Sequence, residues 1–138
     1  MKLISIIISL VALFSVASAT DIRYDTTYDN AQGSLSTVAC SNGANGLITK
    51  GYTTFGSLPS YPNLTAAQAI AGWNSPACGS CWQITYGDVS VNVTAIDHAG
   101  DGFNLSLEAM NSLTGGNAVQ LGIVNGQATQ IDSQYCGL

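Results

Sequence analysis

The side chain best placed for chemistry in this sequence is the carboxylate of Asp97. It follows the apolar run 91–96 and precedes the glycine-rich segment 99–103. Binding and catalytic residues concentrate on loops held by a rigid scaffold, and a carboxylate there can accept hydrogen bonds from a ligand. The alternative is that Asp97 accepts backbone N–H groups and shapes the turn at Gly100-Asp101-Gly102. Asp101 itself is assigned to that turn.

Hydrolytic chemistry would need more than this one group. Glycoside hydrolysis usually requires two carboxylates at a set separation, and no second carboxylate of this chain lies on a recognisable motif. His98 is the only histidine and could do acid–base chemistry near neutral pH. Because no serine or cysteine nucleophile motif accompanies it, we place His98 as a loop or groove residue. The residues favour binding over catalysis, with no catalytic residue assigned and a weak glycoside hydrolase as the alternative.

The amide of Asn104 suits a polar ligand, since it offers two donors and an acceptor to sugar hydroxyls. Asn104 also begins a glycosylation sequon, as do Asn63 and Asn92. A glycan on Asn104 would obstruct a sugar groove at that position. Sugar contact and simple loop capping therefore remain alternatives for Asn104.

A secretion signal is indicated by Lys2, an apolar run, and small residues ending at Ala19. Residues 1–19 are therefore predicted as a signal peptide and residues 20–138 as one extracellular domain. Beyond position 19 the chain has two basic and eight acidic residues. So few cations exclude nucleic acid and disfavour a membrane surface as partners. The low charge density fits a neutral polar ligand such as carbohydrate.

Four cysteines follow the predicted signal, at Cys40, Cys78, Cys81 and Cys136. An even number in a secreted domain favours two disulfides. The C-x-x-C at positions 78–81 could instead mark a redox or zinc site, but no βαβ unit surrounds it and no second close pair exists. We predict no metal and no cofactor, and we choose the pairing Cys40–Cys78 and Cys81–Cys136. Trp73 and Trp82 flank these cysteines and are expected to pack in the core.

The remaining pattern predicts a β-rich domain of roughly six strands and two short helices. One helix is expected at 66–71 after Thr65, and another at 107–113 after the cap Ser106, with Glu108 in its first turn. Asn125-Gly126 is expected to be the turn of a final hairpin. The predicted strands lie at 22–28, 35–40, 82–86, 89–96, 118–124 and 127–132.

Several motifs, in order, resemble the cerato-platanin family of small secreted fungal proteins. They are VACSNG at 38–43, LPSYP at 58–62, IAGWNSP at 70–76, CGSCW at 78–82 and IDHAGDGFN at 96–104, followed by Cys136 near the end. The resemblance covers essentially all of the chain beyond the predicted signal. One departure is Asn74, where many members carry an acidic residue.

The resemblance implies a mostly β fold, a six-stranded double-ψ β-barrel like that of expansins, with the same disulfide pairing. It implies a secreted, wall-associated protein that binds chitin or N-acetylglucosamine oligomers, with cellulose as another substrate. It further implies expansin-like loosening without hydrolysis, elicitation of plant defence through a host receptor, and self-association. The site it indicates is Asp97, with His98, Gly102, Phe103 and Asn104 bordering the groove. A surface-active or immune-recognised protein with no sugar function is the third alternative.

Overall fold

The structure is a computed structural model that describes residues 17–138, so residues 1–16 of the predicted signal peptide lie outside the described residues. Six strands and two helices form the fold. They are β1 (Ser18–Tyr24), β2 (Leu64–Ala67), β3 (Cys81–Tyr86), β4 (Val89–His98), β5 (Phe103–Leu105), α1 (Leu107–Thr114), α2 (Ala118–Leu121) and β6 (Val124–Ile131).

The six strands close into a barrel in the order β1-β5-β2-β4-β3-β6, with β6 returning to β1. The pairs β1–β5 and β2–β4 are parallel, and the other four pairs are antiparallel. Closure leaves no open sheet edge, which removes the exposed backbone groups that promote aggregation. The predicted mostly β, six-stranded barrel with two short helices is confirmed.

Alternate side chains of the strands fill the barrel interior. Ile22, Ile84, Val93 and Leu105 are fully buried there, as the two-residue period of a strand requires. Helix α1 covers the outside, packing against β4 with Met110 and Leu113 buried.

Two disulfides hold the loops to this barrel, and both predicted pairings are confirmed. Cys40 is bonded to Cys78 with the Cα atoms 5.4 Å apart, and Cys81 is bonded to Cys136 with the Cα atoms 5.7 Å apart. The first disulfide joins two loop segments. The second attaches the end of the chain to the start of β3.

The helix predicted at 107–113 is confirmed as α1, with the predicted cap. The Ser106 hydroxyl accepts the N–H of Ala109, Glu108 lies in the first turn, and Gly115 ends the helix in the left-handed region at φ 65°. A side-chain cap at one end and a glycine at the other satisfy backbone groups that the helix leaves unpaired.

Three other element predictions were wrong. Segment 66–71 is not a helix: Leu64–Ala67 is a fully buried strand between β4 and β5, so tertiary pairing overrides the helix propensity of its alanines. Segment 35–40 contains only a 3-10 turn at Leu35–Thr37. The predicted final hairpin is instead α2 followed by one strand, because Asn125 and Gly126 both pair with β1 inside β6.

Candidate binding surface

A β-bulge directs Asp97 onto the outer surface of the barrel. Thr65 of β2 pairs with Ala95, but the next residue, Ala66, pairs with Asp97, so β4 contains one extra residue at Ile96. Strand side chains alternate between the two faces. Without the bulge, Asp97 would share the inward face of Ala95. A bulge changes which way the following side chains face, and here it places Asp97 outside.

Asp97 lies in a row of outward-facing residues that crosses four strands. Ala66 pairs with Asp97 on one side and with Asn104 on the other, and Asn104 pairs in turn with Arg23 of β1. Neighbouring strands are about 4.8 Å apart, so Asp97 and Asn104 lie about 10 Å apart and the full row extends about 14 Å. We call Arg23, Asn104, Ala66 and Asp97 the outer row. The central residue, Ala66, is fully buried between the two polar side chains.

The Asp97 carboxylate is held by three hydrogen bonds. Its Oδ1 accepts the backbone N–H groups of Ala39 at 3.0 Å and His98 at 2.9 Å, and its Oδ2 accepts the hydroxyl of Tyr28 at 2.8 Å. A carboxylate offers about four acceptor positions. One position on Oδ2 therefore remains for a ligand, and Asp97 is half-buried and within reach of solvent. Asp97 shapes its loop as well as offering this position.

Tyr28 is the buried partner that fixes this carboxylate. The ring is 5% exposed and packs at a 6.1 Å centroid distance against Phe55. Burial, and then the neighbouring negative charge of Asp97, raise the pKa of the Tyr28 phenol far above its ordinary value. Tyr28 therefore stays protonated and donates to Asp97 throughout the physiological pH range.

Arg23 terminates the outer row, and its positive charge is paired with two carboxylates. Its guanidinium lies 3.1 Å from Asp101 and 3.7 Å from Asp21. All three side chains are exposed, so these ion pairs contribute little stability, and with two carboxylates to one guanidinium this end of the row keeps a net negative charge. Asn104, half-buried beside Arg23, is left as the neutral polar group at the centre of the surface.

The five predicted site residues fall into two places. Asp97 and Asn104 belong to the outer row, and exposed His98 adjoins it with Nδ1 2.6 Å from the carbonyl of Ile70. Gly102 and Phe103 are instead buried at the mouth of the barrel. There the Phe103 ring contacts Trp82 edge-on at 5.3 Å between centroids, so Phe103 presents no ring face to the outer row.

The barrel mouth forms a cavity of about 630 Å³. Trp82 and Phe103 form its apolar part, and Gln68, Thr129 and Gln130 are among its polar lining residues. The predicted core packing of Trp82 agrees with this position. For Trp73 the prediction was wrong: it is 64% exposed, since its indole N–H bonds the surface residue Asn42 at 2.7 Å.

The three sequon asparagines, Asn63, Asn92 and Asn104, are all half-buried. Asn63 and Asn92 line an open polar depression that also contains Tyr135. Only Asn104 belongs to the outer row. The structure therefore separates two of the predicted glycosylation positions from the candidate surface.

Most other carboxylates have structural partners. Asp25 and Asp132 accept backbone N–H groups at 3-10 turns, and Asp29 accepts those of Leu107 and Glu108 at the start of α1, at 2.7 and 3.0 Å. Within residues 17–138, no cluster of three or more histidine, cysteine, aspartate or glutamate side chains could hold a metal ion. In the same range no helix is long and apolar enough to cross a bilayer.

Asn74 has a defined structural role in the loops. Its backbone is in the left-handed region at φ 59°, where asparagine is among the better tolerated residues. Its Oδ1 accepts the N–H of Asn45 at 2.9 Å. The interaction needs an oxygen acceptor and no negative charge.

Sequence reasoning missed two residues that position Asp97, Tyr28 and Ala39, and it missed Arg23 at the other end of the outer row. The sequence placed Tyr28 at the end of a strand, but it lies in the 3-10 turn Thr26–Asp29. From there its hydroxyl bonds Asp97, which is 69 positions further along the chain. The VACSNG motif contains Ala39 and was the only sequence signal near this partner. A backbone donor leaves no residue-type signature of its own.

The fold and the outer row define a small disulfide-bonded barrel with a polar outer surface that contains one fixed carboxylate. A family model described as Cerato-platanin matches residues 20–138. The chain belongs to the cerato-platanin family, whose members are small secreted fungal proteins.

Individual relatives support this assignment. The chain is 46% identical over 123 residues to the heat-stable 19 kDa antigen of Coccidioides immitis (strain RS), covering 89% of this chain and 84% of that protein. The crystal structure of cerato-platanin 2 from M. perniciosa matches with a TM-score of 0.84 and 51% identity, over 88% of this chain and 100% of that one. The solution structure of the fungal elicitor Cerato-Platanin matches with a TM-score of 0.76 and 37% identity, over 84% and 95%.

Proposed function

We propose that this protein is secreted to the fungal cell wall and binds neutral wall polysaccharide of the N-acetylglucosamine type along its outer row. The protein would loosen the bound polysaccharide from its neighbours, as expansins do, without cleaving it. Elicitation of plant defence, through a receptor of the host, is the further role that we propose by analogy with the relative described as a fungal elicitor.

The observation that carries the proposal is the unfilled acceptor position of Asp97. The carboxylate is fixed by three bonds on the buried side, and its residue lies two strand spacings, about 10 Å, from Asn104. A fixed charged acceptor and a neutral amide can bind hydroxyl and acetamido groups of successive sugars. Because two carboxylates engage Arg23, this cation is not free to select an anionic polymer.

An NMR titration with N-acetylglucosamine oligomers tests this surface. We expect shifts of the amide signals around Asp97 and Asn104, and a weaker affinity in Asp97→Asn. Tyr135→Phe serves as the control, since Tyr135 lies in the depression with Asn63 and Asn92. Shifts confined to that depression, or none at saturating oligomer, would reject the outer row as the binding surface.

The arrangement of carboxylates supports binding without hydrolysis. Asp21 and Asp101 are engaged with Arg23. Asp25 accepts the N–H of Thr27, and Asp29 is engaged with the start of α1. A hydrolase of this type needs a second carboxyl group free to act across the scissile bond. Pure protein should release no reducing ends from chitin or cellulose; steady release that Asp97→Ala abolishes would assign the weak hydrolase alternative instead.

A second candidate function, surface activity with self-association, is favoured by one patch. Val119, Leu121 and Ile123 lie within five consecutive positions and are 66%, 43% and 46% exposed. Clustered exposed apolar side chains mark interaction surfaces. Val119→Asp should reduce both surface-tension lowering and sedimentation of oligomers, while leaving oligosaccharide binding intact. An unchanged sedimentation profile would exclude this patch.

A further inference from the structure

A fixed, exposed tryptophan lies in the loops beside the outer row. Trp73 has 64% of its surface exposed, which is unusual for so large an apolar side chain unless it meets a partner. Its indole N–H donates to Asn42 Oδ1 at 2.7 Å. A Cβ on Gly43 would come within 3.0 Å of the indole Cζ2, so one edge of the ring packs against the Gly43 backbone.

The loop under this ring is held rigidly. Asn74, the next residue, receives the backbone N–H of Asn45 on its Oδ1 at 2.9 Å, and its carbonyl receives the Asn45 side-chain amide at 3.0 Å. The Cys40–Cys78 disulfide joins the same two chain segments. An aromatic ring fixed before binding loses little side-chain entropy when a ligand stacks on it.

Two short chain segments connect Trp73 to the outer row. Ala39 donates its N–H to Asp97, and Asn42, three residues later, holds the indole. The carbonyl of Ile70 contacts the His98 ring at 2.6 Å, and Trp73 is again three residues later. Three residues extend at most about 11 Å. The Trp73 Cα therefore lies within about 11 Å of that of Ile70, on the side of the row where Asp97 and His98 lie and opposite the end formed by Arg23.

We propose that Trp73 is an aromatic subsite that extends the outer row and stacks on the apolar face of a sugar ring in longer oligosaccharides. This inference rests on the proposed saccharide-binding function. The chemistry of the loops agrees with a neutral ligand, since segments 41–46 and 70–77 contain no charged residue. Around the ring, Asn42, Asn45 and Asn74 supply the neutral polar groups that sugars pair with.

The test compares N-acetylglucosamine trimer and hexamer by calorimetry, with Trp73→Ala and a matched control. Tyr135→Ala is that control, because Tyr135 is equally exposed, at 63%. An aromatic contact of this kind changes affinity by about 2- to 13-fold. We expect Trp73→Ala to weaken the hexamer by that factor and to leave the trimer, held at Asp97, unchanged. Tyr135→Ala should change neither.

A direct spectroscopic readout accompanies the affinities. The chain has two tryptophans, so a ¹⁵N correlation spectrum gives two indole signals, and Trp73→Phe identifies the one from Trp73. That signal should shift with hexamer and not with trimer, and Trp73→Phe should keep most of the hexamer affinity because a ring face remains. Circular dichroism and a melting curve verify that each variant is folded.

The outcomes separate the two proposals. If wild-type protein binds both oligomers and Trp73→Ala has no effect, or weakens both equally, the tryptophan subsite is refuted while the outer row stands. If wild-type protein binds neither oligomer and no indole signal shifts, the saccharide-binding function is refuted, and the subsite with it.

Discussion

The substitution Asp97→Asn examines whether one carboxylate both holds its loop and offers a binding position. Two of its three donors, the N–H groups of Ala39 and His98, converge on Oδ1, and an amide oxygen can accept both. The third donor, the Tyr28 hydroxyl, would face the new NH₂ group. The phenol would then have to accept, and its own proton would lose its partner in a buried position.

The magnitude follows from these three contacts. Hydrogen bonds to a charged acceptor contribute about 1.5–3 kcal/mol and neutral ones about 0.5–1.5 kcal/mol, and an unsatisfied buried donor costs about 1–3 kcal/mol. Because Asp97 is half-buried, solvent recovers part of this loss. We expect the free energy of unfolding to fall by about 2–3 kcal/mol, which lowers the melting temperature by roughly 8–12 °C.

Urea unfolding and calorimetry measure this loss, with two comparison variants. Tyr28→Phe removes only the third hydrogen bond and should lower the free energy of unfolding by about 1–2 kcal/mol. Asp101→Asn removes only an exposed ion pair and should change it by less than about 1 kcal/mol. An Asp97→Asn protein as stable as Asp101→Asn would refute the reasoning about the loop. Saccharide affinity kept per folded molecule would restrict Asp97 to a structural role.

Three further predictions concern stability. Above pH 10 the Tyr28 phenol ionises in the unfolded chain but stays protonated in the folded one, because its folded pKa is raised. The free energy of unfolding should therefore fall as the pH rises above 10, and it should fall less in Tyr28→Phe. Urea midpoints measured against pH for both proteins test this, and equal slopes would contradict it. Reduction should lower the melting temperature sharply, since the disulfides close loops with sequence separations of 38 and 55. Each contributes about 4 kcal/mol on the chain-entropy model. A melting temperature that is unchanged by reductant in a calorimetric scan would contradict this. Asp29→Ala should destabilise by about 0.5–2 kcal/mol because the N–H groups of Leu107 and Glu108 lose their acceptor, and Asp29→Asn should recover part of that in the same urea assay.

Local signals in the sequence were sufficient for some elements. The cap, first-turn acid and terminal glycine of α1 all act within a few residues, so Ser106, Glu108 and Gly115 predicted the helix to within one residue. The disulfide pairing was also predicted correctly. In both cases the interaction is specified by residue types that have few alternatives.

Long-range packing decides the elements that were missed. Gly126 was read as a hairpin turn, yet a Cβ there would lie 2.5 Å from the Thr85 carbonyl oxygen, so the glycine permits close approach of β3 and β6. The bulge at Ile96 is equally invisible locally, since it exists only relative to β2. Asp97 could thus be selected from its sequence motif. Its three hydrogen-bond partners and the outward direction of its side chain could be found only from the folded structure.

The closure of the barrel also determines when this chain can fold. β1 stands near the start of the described chain and pairs with β6, which ends at Ile131, and β5 must enter between β1 and β2. Structures dominated by such non-local pairings fold slowly, in milliseconds to seconds. During synthesis β1 has no neighbour until β5 is added, since Ile22 pairs with Phe103, and the barrel cannot close until β6 follows. Until these strands are present, the open chain exposes apolar strand residues that can aggregate.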